Sequence, residues 1–138
     1  MLFQDTWKSV LDGTKTQSRR PVQDGDQATV GTDGNISKVM RSGKYGPPKV
    51  LFEVGQSYSV QPGPAKKTVG RIKVTAIRRE RLQDISEADM LQEQPVSPLD
   101  VDLALQTLKA NWDKQYKAGQ QWADNPEVWV LEFQLPFN

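Results

Sequence analysis

Val128-Trp129-Val130-Leu131-Glu132-Phe133 carries apolar side chains at both its odd and its even positions. Successive side chains of a strand point to opposite faces, so this pattern is covered on both sides and belongs in the middle of a sheet. Two further strand candidates precede it. In Ser57 to Gln61, Tyr58 and Val60 alternate, and in Gly70 to Arg79, Ile72, Val74 and Ala76 line one face. Between the strands and the last stretch lie helix signals. Ser86-Glu87-Ala88-Asp89 is a capping-box-like start that Pro95 must stop. A second start has Ser97 as cap, Pro98 at the first helical position, and Asp100 and Asp102 near the positive end of the dipole. That helix buries Val101, Leu105, Leu108 and Trp112, and its expected end is near Gly119. At the other terminus Phe3, Trp7, Val10 and Leu11 make one apolar stripe, which Gly13 closes because glycine accepts the left-handed backbone of a helix C-terminus. The elements specify an α+β domain.

The 138 residues fit one domain with a single modest core. There is no cysteine and no histidine, which excludes disulfides, Cys-His nucleophiles and the common zinc ligands. Any catalysis falls to Lys, Ser, Thr, Tyr, Asp, Glu or Arg. No apolar run approaches the ~20 residues that cross a bilayer, and no basic-then-apolar leader opens the chain, so the expected location is cytoplasmic, with no membrane partner. The net charge of +1 conceals an asymmetry: residues 1–79 hold 14 Lys/Arg against 6 Asp/Glu, and residues 80–138 hold 4 against 11. Either the molecule offers a basic side to a phosphate-bearing partner, or the two halves intermingle and their charges solubilise the surface.

The strongest chemical signal is Gly13-Thr14-Lys15-Thr16-Gln17-Ser18-Arg19-Arg20. In an extended strand Lys15, Gln17 and Arg19 share one face, and Thr16, Ser18 and Arg20 the other. A sharp turn between helix and strand would let both sets converge on a cleft. Lys15, Arg19 and Arg20 offer donors to phosphate or carboxylate, while Thr14, Thr16 and Ser18 suit a base edge or a sugar hydroxyl. Lys15 becomes a general base toward Ser18 only where burial or a neighbouring cation leaves its amine neutral. The stretch after the motif reads as loop or hairpin, with turn signals at Asp33-Gly34-Asn35 and Tyr45-Gly46-Pro47-Pro48. Within it, Lys38, Arg41, Lys44 and Lys49 surround Tyr45, a pattern that suits either a solvated loop or a flap over nucleic acid. Trp7, Trp112 and Trp129 read as core, and Trp122, in a polar turn setting, either plugs the barrel end, the favoured reading, or offers a stacking surface.

In Gly13, Lys15, Ser18 and Arg20 the chain resembles the ASCH family, whose signature is Gly-x-Lys running into a hydroxyl residue and an arginine just after the first helix. The resemblance extends through Val54–Gly63, Arg71–Arg78, Leu82–Asp89 and Trp122–Phe133, with residues 24–48 as an insertion in one ASCH-like domain spanning 1–138. It implies a PUA-like small mixed β-barrel with flanking helices. It also implies RNA or nucleotide binding in a basic pocket at the barrel edge, with Gly13, Lys15, Thr16, Ser18, Arg19 and Arg20 as ligand contacts and no cofactor or metal. Some small members of that family are amidohydrolases acting on N4-acetylcytidine. Carried over by position, Lys15 is the lysine, Ser18 stands in place of a threonine, Glu93 is the acid and Arg20 orients the ligand. Gln92-Glu93-Gln94-Pro95 departs from the family's usual glutamate-glycine-aromatic pattern, and Glu87 and Asp89 are alternative acids. Metal-independent ribonuclease activity is a further implied alternative.

Overall fold

The structure is a computed structural model that describes residues 1–136. In chain order the elements are α1 (Trp7–Asp12), β1 (Gln17–Pro21), β2 (Asp26–Val30), β3 (Ile36–Arg41), β4 (Lys49–Glu53), β5 (Ser57–Val60) and β6 (Gly70–Arg81). They are followed by α2 (Glu87–Glu93), α3 (Val101–Gln115) and β7 (Glu127–Gln134). The fold is α+β, built on one seven-stranded antiparallel sheet.

β7 lies in the middle, paired with β1 on one edge and β6 on the other. Both its faces are buried, as its composition requires. Val128 and Val130 pack with Leu82 and Trp112 on the α3 side; Trp129 and Leu131 pack with Val39, Val74 and Ile77 on the other. Phe133 continues into a third cluster with Phe3, Val10, Val60 and Ile72. Each such side chain contributes about 1.5–3 kcal/mol on burial, so β7 is the strand most costly to disturb.

β6 is long enough to serve two partners along its other edge. Its first residues pair with β5, and Ile77 pairs with Ile36 of β3. β3 in turn carries β2 and β4 on its two edges. Among the described residues no pairing joins β1 to β2, so the sheet is curved and open at this seam. The closed small barrel expected from the family resemblance is corrected to a barrel-like sheet left unclosed.

The stretch 24–48 is ordered as the β2–β3 hairpin and its exit loop. Asp26 fastens it to the core. Its carboxylate accepts from Arg41 Nε and Nη2 at 2.6 and 2.9 Å, from the Gln23 N–H at 3.0 Å and from the indole of Trp129 at 3.0 Å. Gly25 beside it has φ +88°, and a Cβ there would lie 2.6 Å from the carbonyl oxygen of Ser42. Only glycine fits this close crossing.

Three helix expectations need adjustment. α1 begins at Trp7, and Phe3 lies before it in an extended segment whose N–H donates to Gln61 O. Gly13 closes α1 with φ +84°, as read. For α3 the cap is Asp100, whose carboxylate accepts from the Leu103 N–H at 3.1 Å; Ser97 is not the cap. α3 ends at Gln115, short of Gly119, because Tyr116 turns to extended backbone and the Trp112 indole donates to Gln120 O at 2.7 Å, folding the chain back. Ser86 caps α2 as expected. Trp122 packs between the Leu82/Trp112 and Met90/Leu108 clusters, the position of a plug. Among the described residues no helix is long and apolar enough to cross a membrane.

Candidate functional site

Gly13 turns the chain out of α1, and two backbone bonds then aim the motif. Lys15 N–H donates to Ser9 O at 3.0 Å and Thr16 N–H to Gln92 O at 3.1 Å. The second of these ties the entrance of β1 to the last turn of α2. Lys15 is thereby carried inward to Glu93, the C-terminal residue of α2. Its Nζ donates to the Glu93 backbone oxygen and, at 2.5 Å, to Glu93 Oε2. Both side chains are buried, at 3% and 7% exposure, so this is an ion pair shielded from water.

The amine of Lys15 is pulled below the usual lysine value. Burial is the largest cause, Glu93 opposes it through charge and hydrogen bond, and Arg20 and Arg19 add to the lowering. The same principle pushes the Tyr116 phenol up, chiefly by burial, so its hydroxyl stays neutral and able to donate.

Arg19 is spent on the scaffold. Nε donates to Glu80, Nη1 to Gln17 and Glu93, and Nη2 to Glu80 and Asp89, at 2.7 to 3.5 Å. A guanidinium has five N–H donors, and all five are engaged inside the protein. Arg19 therefore ties β1 to β6 and α2 and fixes the Glu93 carboxylate, whose other oxygen meets Lys15. Asp89, one of the alternative acids, belongs to this scaffold too. Burial raises its carboxyl, but Gln17, Arg78 and Arg19 together with Ser86 outweigh that and leave it below the ordinary range. Glu87 is exposed on the first turn of α2.

Ser18 and Arg20 occupy the opposite face of β1, and Arg20 Nε donates to Ser18 Oγ at 3.0 Å. A serine hydroxyl that accepts this bond keeps its own proton to donate. A narrow cavity of about 60 Å³ lies between β1 and α3, and Lys15, Ser18, Arg19, Arg20 and Glu93 all line it. The turn thus brings both faces of the motif to one hollow. Among the described residues Lys15 makes no hydrogen bond to Ser18: the amine is turned to Glu93. Gly13 lines a different groove, with Thr14, Gln92 and Pro95. Thr16 Oγ1 donates to Gln92 Oε1 at 2.5 Å. These two shape the entrance to β1.

The far wall belongs to residues assigned no site role from sequence: Gln94 after α2, Asn111 and Tyr116 of α3 and its exit, and Trp112, read from sequence as core. Asn111 Nδ2 donates to Gln94 Oε1 at 3.4 Å, leaving amide donors and acceptors for other partners. Tyr116 was reachable, since it continues the Leu105, Leu108, Trp112 stripe by four residues. The roof is Leu2 to Thr6, where the sequence signalled only the apolar Phe3.

The charge asymmetry is met in part within the fold: among the described residues, four of the 14 Lys/Arg of residues 1–79 pair with carboxylates of residues 80–138. Lys15 and Arg19 of the basic half meet Glu93, Glu80 and Asp89 of the acidic half, Arg78 meets Asp89 and Glu132, Arg79 meets Glu127, and Lys114 meets Asp5. The intermingled alternative describes these residues. Tyr45 stands out at 85% exposure in the loop after β3, with Lys44 Nζ 5.7 Å from its ring centre.

The sequence matches no family model, and no curated protein or solved structure is significantly similar to it.

Proposed function

We propose that the hollow between β1 and α3 binds a nucleobase, presented as a nucleotide or within single-stranded RNA. The observation that carries this reading is the convergence of Lys15, Ser18, Arg20 and Glu93 on one cavity whose opposite wall supplies Gln94, Asn111 and Tyr116. Amides and hydroxyls suit the edge of an unstacked base, a guanidinium suits phosphate, and Trp112 with Tyr116, at 4.5 Å between ring centres, gives the wall an aromatic body. An ASCH-like domain of PUA-like architecture is compatible with this arrangement, since the open seven-stranded sheet with flanking helices is barrel-like. Titration of a labelled single-stranded RNA of about eight nucleotides, in low salt and again at about fourfold higher salt, tests the reading. Binding should weaken steeply with salt. Absence of binding at low salt would reject it.

A second reading, N4-acylcytidine amidohydrolase, is favoured by the Lys15–Glu93 contact. In it the Lys15–Glu93 pair first passes its shared proton to Glu93; Ser18 Oγ then attacks the acyl carbon as its proton passes to the neutral Lys15, the protonated Glu93 gives its proton to the departing N4 amine, and water then releases the acyl group from Ser18. Lys15 must first turn from Glu93 to Ser18. Burial already lowers the cost of its neutral form. Conversion of N4-acetylcytidine to cytidine, followed chromatographically, is expected to be abolished in Lys15→Met; equal turnover by that variant would remove Lys15 from the chemistry.

A further inference from the structure

We propose that Arg20 is a phosphate subsite of this hollow, that the Leu2 carbonyl occupies it in the structure, and that Gln4–Thr6 form a lid over it. The proposal rests on the nucleotide reading above and narrows the ligand to a phosphorylated one.

Two of the three cations at the site already have carboxylate partners. Lys15 has Glu93, and Arg19 has Glu80, Asp89 and Glu93. Arg20 is the exception. Among the described residues it has no carboxylate partner: Nε donates to the neutral Ser18 Oγ, Nη2 donates to the Leu2 carbonyl at 2.7 Å, and the guanidinium lies 5.0 Å from the centre of the Phe3 ring. A half-buried arginine beside two other cations, without an anion of its own, carries a charge whose best partner is still to come. Three of its five donors remain unassigned among the described residues, and two of them sit on one nitrogen. One N–H from each terminal nitrogen forms a fork that matches two oxygens of a phosphate, and a charged acceptor outcompetes the amide carbonyl now on Nη2.

A cavity of about 60 Å³ holds a few waters, whereas small-molecule sites run to about 300–1,000 Å³. Entry of a nucleotide therefore requires a wall to move. α3 and β1 are packed into the core. The roof is held differently. Phe3 is buried on Phe133 and its N–H is bonded to Gln61, which fixes one end, and α1 fixes the other. The arc between them is latched to α3 by Asp5, which accepts from Lys114 at 3.1 Å and from Gln115 at 3.5 Å. Lys114 is 64% exposed. An exposed pair of this kind changes an equilibrium by no more than about fivefold, the strength of a latch that a ligand can open. Opening frees the roof while Phe3 stays seated, and Arg20 turns Nη2 from Leu2 to the incoming phosphate.

Calorimetric titration of the full chain with cytidine, cytidine 5′-monophosphate and tetracytidylate is the test. The monophosphate is expected to bind at least about tenfold more tightly than the nucleoside. Arg20→Gln should bring the ratio of the two affinities close to one, and Arg20→Lys should leave an intermediate ratio, since it keeps the charge without the fork. Asp5→Asn should tighten binding of the monophosphate by up to about fivefold. Thermal melts of each variant confirm that it is folded before titration. Equal affinity for nucleoside and monophosphate in the wild type would overturn the phosphate subsite and leave an uncharged nucleoside as the ligand. An unchanged ratio in a folded Arg20→Gln would overturn the assignment to Arg20. Binding by none of the three would reject the nucleotide reading and this proposal with it. Tetracytidylate binding more tightly than the monophosphate supports the subsite with an RNA backbone as the phosphate source.

Discussion

Replacing Glu93 with glutamine removes one negative charge from a place where two cations converge, and leaves the side chain's size unchanged. Arg19 would lose one of five bonds and retain Glu80 and Asp89, a loss at the low end for a charged hydrogen bond, about 1.5 kcal/mol. Lys15 would lose its only carboxylate partner among the described residues while remaining buried. Breaking a buried pair from one side costs about 3–5 kcal/mol, but Lys15 has an escape, because its amine already favours the neutral form more than a free lysine does. Shedding the proton limits its share to about 2 kcal/mol, so Glu93→Gln should cost about 3–4 kcal/mol at neutral pH. Urea denaturation followed by tryptophan fluorescence gives the number by linear extrapolation. The decisive measurement is the double variant. Adding Lys15→Met to Glu93→Gln replaces the stranded amine with an apolar chain, and should restore about 1–2 kcal/mol relative to Glu93→Gln alone. A cost under about 1 kcal/mol for Glu93→Gln, or strict additivity of the two substitutions, would mean that the pair is not the shielded contact described above.

Three further outcomes follow from the geometry. Because the folded-state value of Lys15 lies below its ordinary one, its burial penalises the folded state at neutral pH, and stability should rise as pH climbs toward the free lysine range; pH-dependent urea titrations should show this rise in the wild type and lose it in Lys15→Met. Asp26 behaves oppositely: burial raises its carboxyl, but Arg41, the Gln23 N–H and Trp129 more than offset that, so its stabilisation is complete above the unfolded value of 3.8 and fades as acid protonates it. Asp26→Asn should cost about 2 kcal/mol at pH 7 and little at the acid end, read from the same titrations. Gly25→Ala should cost about 2 kcal/mol, through left-handed strain and the approach to Ser42, and hydrogen exchange should show the β2–β3 hairpin opening before the core.

Apolar patterning made the framework legible. β7 announced itself because its two faces read alike, and α2 and Gly13 because their caps are chemical necessities. α3 kept its stripe but shifted its ends, since Asp100 and Ser97 are equally good caps by residue type and only the path of the chain chooses between them. Closure of the sheet was not legible, because a strand's sequence states which face is buried and is silent on whether its free edge finds another. At the site, the Lys15–Glu93 meeting joined residues 78 apart, and the resemblance rather than the spacing brought them into one view. The role of Arg19 could not be read, because an arginine facing a ligand and one facing three carboxylates look the same until the fold supplies the carboxylates. Leu2 to Thr6 carry no motif, and became relevant only as the cover of the hollow.

The pairing of β1 with β7 sets the order in which the pocket can come into being. Gln17 to Pro21 leave the ribosome more than a hundred residues before the strand on which they register, and Phe133 must return to donate its N–H to Thr16 O. Closing so long a loop carries a large entropic cost that is repaid only when β7 docks, so β7 must be made before the cationic strand has a seat. Until then Lys15, Arg19 and Arg20 are open to solvent and to any polyanion in the vicinity, and the carboxylates of the acidic half, arriving late, are what withdraw Lys15 and Arg19.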